Sequence, residues 1–181
     1  MAIRTNSILL GSGDIYVALY DGTTTPTVET LKIDTNKLGE VSGGATLEYT
    51  PSFYTAKSDN GKATKTIITD EEATLKSGLM TFDGNALAKL SDTARVTESG
   101  NQRIVKIGGL GNMKQAKYAI LFHHADKENG DVDVLIVGQN QSGFSLAFAK
   151  DKETVIDAEF KCLPQDDEGT LIQYIESAPT E

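Results

Sequence analysis

His123 and His124 are the only imidazoles in the chain, and Cys162 is its only thiol. The histidines lie side by side in a run that reads as a strand. Neighbouring strand residues point to opposite faces, so the pair cannot converge on one metal ion, and no third ligand accompanies it. One is expected to pack or hydrogen-bond and the other to face solvent. A nucleophile needs a base held beside it. The chain has no Gly-x-Ser-x-Gly elbow, and the setting of Cys162, Glu-Phe-Lys-Cys-Leu-Pro, reads as a strand carrying a small buried hydrophobe. The acidic stretch 126–133 suggests a calcium loop, but Gly130 stands fifth where the pattern needs sixth, and Val137 occupies the twelfth position, which needs Glu. The glycine runs at 11–13 and 108–111 lack the Gly-Lys-Ser/Thr ending of a phosphate loop. The expectation is a protein without catalytic residues, metal or cofactor.

The elements that carry these residues are set by composition. The chain has 181 residues, 39% of them apolar, with 17 Gly, 4 Pro and no Trp. That is enough for one domain spanning 1–181 and favours strands and turns. The net charge is −9 and the arginines are Arg4, Arg95 and Arg103 alone. Sequence-reading of nucleic acid needs clustered basic residues and is excluded as an expectation. A single cysteine forms no internal disulfide, which fits a reducing compartment. The first residues lack a signal-peptide core, and no run approaches a membrane span, so synthesis in a cytoplasm is expected.

Residues 1–13 read as an irregular arm. The stretch 14–21 is apolar on both alternating faces, as in a strand covered on both sides; 21–30 reads as a loop, and 30–44 as a short strand with turns. A long hairpin spans 45–76, its arms, about 45–58 and 62–76, turning at Asn60-Gly61. Its base alternates apolar residues, while its outer part is mostly polar. Asp83 caps one helix, 84–93. A strand at 102–109 precedes a second hairpin, 115–140, turning at Asn129-Gly130. Further strands are expected at 144–150, 154–163 and 170–177, followed by a C-terminal arm, 176–181. The fold class is mainly β: an antiparallel sandwich or barrel with one short flanking helix and a long protruding hairpin.

The order of these segments resembles the major tail proteins, or tail tube proteins, of tailed bacteriophages and of prophages in Gram-positive bacteria. The resemblance is carried by "ILLGSGDIYVALYD", "KLGEVSGGATLEYTPSFYTAKSDNG", "GNALAKLSD", "GGLGNMKQAKYAILFHHADKENGDVDVLIVGQN" and "FSLAFAKDKETVIDAEFKCLPQDDEGTLIQYIE". It implies hexameric rings that stack into a tube, the conduit for DNA ejection, built in the host cytoplasm and carried in the virion. Its implied partners are further copies of itself, a tape measure protein, tail terminator and baseplate proteins, and DNA that passes without specific binding; no membrane anchor is implied. The long hairpin would reach onto neighbouring subunits through Phe53, Tyr54, Lys57, Asn60, Gly61, Lys62 and Lys65. A lumen lined with carboxylates repels phosphate, and Glu71, Glu72, Glu153, Asp157 and Glu159 are the candidates for that lining. Other readings are a tube protein of a phage-like bacteriocin or contractile system and a receptor-binding or adhesin-type sandwich.

Overall fold

The computed structural model describes residues 8–179. Along the chain lie β1 (Asp14–Leu19), α1 (Val28–Leu31), β2 (Lys37–Gly39), β3 (Val41–Lys57), β4 (Thr64–Leu79), α2 (Gly84–Lys89), β5 (Arg95–Ser99), β6 (Gln102–Lys106), β7 (Tyr118–His124), β8 (Val132–Asn140), β9 (Ile156–Leu163) and β10 (Gln173–Glu176). The protein is mainly β, and every strand pair is antiparallel. One large sheet runs β2-β1-β7-β8-β9-β4-β3; β10 pairs with β8, and β5-β6 form a separate hairpin.

The two ends of that path, β2 and β3, are one stretch of chain separated only by Glu40. The Glu40 N–H donates to Thr81 Oγ1 at 2.8 Å, and the Glu40 carbonyl accepts from the Met80 N–H at 2.8 Å. The sheet therefore closes on itself as a barrel, the arrangement that leaves fewest strand edges open. Gly39 sits at the seam, where a Cβ would stand 1.9 Å from the Thr81 carbonyl oxygen. Only glycine permits that approach.

Strand alternation divides the apolar residues between two clusters. Ile15, Val17, Ile120, Ile136, Ile156, Phe160, Leu75 and Leu79 fill the barrel, and Ala86 and Leu90 close it from the α2 side. Tyr16, Ala119, Leu121 and Leu135 point the other way and are covered by Leu31 of α1. Strands β1, β7 and β8 are thus apolar on both faces because both faces are covered.

The local differences from expectation have physical causes. The Asp83 carboxylate accepts from the N–H groups of Asn85 and Ala86, both at 2.9 Å, and starts the helix. That helix ends at Lys89, short of 93, because Asp92 turns away to accept the N–H groups of Gln115 and Ala116, both at 3.1 Å. The expected loop 21–30 holds the start of α1, capped by the Thr27 side chain. Residues 144–150 form no strand: Phe144 and Leu146 pack on the core, but the segment pairs with no neighbour. At the C-terminus, Glu176 belongs to β10, and the Ser177 N–H donates to the Asp131 carbonyl at 2.9 Å. Residues 1–7 of the N-terminal arm and 180–181 of the C-terminal arm lie outside the described residues.

Candidate functional site

Strands β3 and β4 outrun the barrel. Their paired register continues from Val41 opposite Leu79 to Lys57 opposite Thr64, with a bulge beside Ser52. Strand β9 supports β4 only as far as Thr74. Every residue from Ser52 to Glu72 is exposed. With about 3.3 Å of rise per residue, the ribbon projects roughly 17 Å past Ser52 before its loop begins. The loop is tied locally: the Ser58 N–H donates to Ala63 O at 2.9 Å, and Asn60 Oδ1 accepts from the Lys62 N–H at 3.0 Å and from the Ser58 hydroxyl at 2.8 Å. Gly61 adopts φ 69°, in the left-handed region that favours glycine.

The ribbon is more apolar than its composition suggested. Phe53 stands opposite Ile68, and Tyr54 opposite Ile67. Partners on directly opposed positions share a face, and successive residues alternate, so each side of the ribbon carries one aromatic–aliphatic pair. All four side chains are between 48% and 61% exposed. Lys57 and Lys65 lie beyond these pairs, and Asn60, Gly61 and Lys62 lie in the loop, so all seven hairpin residues singled out from the sequence are exposed on one projection. Ile67 and Ile68 are not among those seven; cross-strand register is what pairs them with Tyr54 and Phe53.

The five acidic residues do not form one row. Asp157 and Glu159 alternate with the core residues Ile156, Ala158 and Phe160 and therefore face out of the barrel. Glu72 shares that face, since its carboxylate accepts from Lys161 Nζ at 2.9 Å. This contact holds the Glu72 carboxyl below its ordinary range and the Lys161 ammonium above its own. Glu71, next along the strand, points to the opposite face and accepts from the Tyr49 hydroxyl. Glu153 precedes β9 in an irregular segment. Lys76 and Glu48, 2.8 Å apart, complete the outer face, leaving four carboxylates interleaved with two ammonium groups.

Both histidines are buried, where one was expected to be exposed. His123 Nδ1 lies 2.7 Å from Asp133 Oδ1 on the adjoining strand, and Asp131 stands 3.9 Å from its other nitrogen. His124 Nδ1 donates to the Ser12 carbonyl at 2.7 Å, pinning the inner end of the N-terminal arm. The backbone pairing of His123 with Asp133 explains the difference: burial is satisfied by a carboxylate one strand away. Asp126 caps its own turn, accepting from the N–H groups of Glu128 and Asn129, both at 3.0 Å. Among the described residues, no cluster of three or more His, Cys, Asp or Glu side chains is placed to hold a metal ion.

Cys162 is buried, and burial pushes its thiol up to about 11 from an ordinary 9.0. At pH 8 that shift lowers the thiolate fraction by about a hundredfold. Iodoacetamide should therefore label Cys162 at least about a hundredfold more slowly in native protein than in urea, followed by intact mass; equal rates would show an open, reactive thiol. No protein-family profile and no curated protein sequence matches this chain.

Proposed function

We propose that this protein is a structural subunit that assembles with copies of itself into stacked hexameric rings, forming the tail tube of a bacteriophage through which DNA leaves the virion. The observation that carries the reading is the ribbon: an ordered, exposed projection with an aromatic–aliphatic pair on each side. Such a projection has little reason to be retained on a solitary subunit, where it is an aggregation hazard. A head-to-tail contact that closes a ring turns the same surface into an interface. Finishing the burial of Phe53, Tyr54, Ile67 and Ile68 contributes roughly 1 kcal/mol each, or about 4 kcal/mol per hairpin before the cost of association.

The outward face with Glu72, Asp157 and Glu159 is the candidate lumen lining, with Lys161 and Lys76 tempering its charge. A surface of that kind lets phosphate slide past, because no cluster of cations holds it. A tape measure protein, tail terminator and baseplate proteins are the further partners of this reading. No helix among the described residues is long and apolar enough to cross a membrane.

Negative-stain microscopy of the purified protein across a concentration series, with sedimentation in parallel, tests the proposal. Rings and hollow tubes should grow with concentration. Protein that stays single at the highest concentration, with the amides of 53–68 already protected from exchange, overturns it.

A further inference from the structure

Asn-Gly occurs twice in the chain, at 60–61 and at 129–130, and the fold treats the two copies in opposite ways. We propose that Asn60 is a site of spontaneous covalent modification, in which the Gly61 nitrogen attacks the Asn60 side-chain amide, while the fold locks Asn129 against the same reaction. In this step a bond forms between Gly61 N and Asn60 Cγ, and the Cγ–Nδ2 bond breaks. The amide proton of Gly61 leaves with the departing NH₂ as ammonia, and a five-membered imide remains. Water then opens the imide at either carbonyl, giving an aspartyl or an isoaspartyl linkage. No oxidant or further reactant is required.

At Asn60, both side-chain hydrogen bonds converge on Oδ1, from the Ser58 hydroxyl at 2.8 Å and the Lys62 N–H at 3.0 Å. They draw electron density from Cγ and leave Nδ2, the group that must depart, unheld by the described residues. Asn60 and Gly61 are both exposed. The Gly61 N–H donates to Ser58 O at 2.8 Å, but this bond lies in open solvent, where water replaces it at little cost.

At Asn129 the polarity is reversed. Nδ2 donates to both carboxylate oxygens of Asp126, at 3.4 and 3.1 Å, and the backbone N–H donates to the same group at 3.0 Å. Charge-assisted bonds of this kind are the strong ones. Gly130 is buried, its N–H donates to Asp126 O at 2.8 Å, and a Cβ on it would stand 1.9 Å from the Ser177 carbonyl oxygen. Its nitrogen is thus held by a hydrogen bond in a buried turn, and its α-carbon is hemmed in by the Ser177 backbone.

Conversion at Asn60 places a new carboxylate among Lys57, Lys62 and Lys65. The isoaspartyl form also lengthens the main chain inside a loop whose ends are tied by the Ser58–Ala63 hydrogen bond. The inference does not depend on the assembly reading. It is tested on dilute full-length protein, shown by sedimentation to be single subunits, aged at mildly alkaline pH in native buffer and in urea. Peptide mapping should find the one-mass-unit gain at Asn60 about tenfold or more faster than at Asn129 in native protein. In urea the two sites should converge. Equal native rates at the two sites would overturn the proposal, and so would conversion of Asn60 in urea alone.

Discussion

A chain in which residues 53–69 are replaced by a two-residue Asn-Gly turn, joining the opposed residues Ser52 and Asp70, should fold normally and lose self-association completely. Asn-Gly suits a tight hairpin because both positions adopt positive φ readily. Every removed residue is exposed, so the barrel loses almost no burial. The melting temperature should stay within about 4 °C of the full-length subunit measured at the same dilution, equivalent to roughly 1 kcal/mol for a chain of this size. In the same buffers in which the full chain forms rings or tubes, the trimmed chain should sediment as one species at all concentrations. Normal tubes from the trimmed chain would remove the hairpin from the interface.

Replacing Phe160 by Ala should have the opposite profile. Phe160 is 0% exposed and lies in β9 among Leu75, Ala158 and the β8 residues of the barrel interior. Truncating a buried Phe costs about 3–5 kcal/mol through lost burial and the cavity left behind. For a domain of this length, that lowers the melting temperature by roughly 6–20 °C. The measurement is best made on the trimmed chain, so that association does not add apparent stability. A shift under about 2 °C would mean that the interior around β9 is far looser than these contacts imply.

Turn chemistry and two-faced apolar runs made much of the barrel legible in the sequence. The run 14–19 and the hairpin around Asn129-Gly130 carry their own signals, and Asp83 announces the start of α2. What stayed hidden depends on residues far apart in sequence. The seam at Glu40 joins two strands of which one, β2, is three residues long and has no readable register. Strand β5 hid behind a helical spacing that continues through Leu90 to Ala94, whereas the chain leaves the helix after Lys89 and Asp92 accepts from residues 115–116. The apolar alternation at 144–150 is real, but the backbone there meets no partner strand. For the candidate site, the position and exposure of the hairpin were readable, whereas its apolar pairs depend on the register of opposed residues. The division of Glu71 from Glu72 follows from strand geometry once the start and end of β4 are known.

The route by which the barrel closes fixes an order of events. The arms β3 and β4 are joined by the short stretch between Lys57 and Thr64 and can zip in about 1–10 μs. Asp14 waits for His123, and Leu79 waits for Ile156, so the seams of β1 with β7 and of β4 with β9 cannot form until those late segments exist. On the ribosome the ribbon is therefore complete before the body that carries it, and during that interval Leu47, Leu75 and Leu79 lack the β7, β8 and β9 residues of their cluster. The nascent chain passes through its stickiest state at mid-length, and this is where a chaperone would have most to shield.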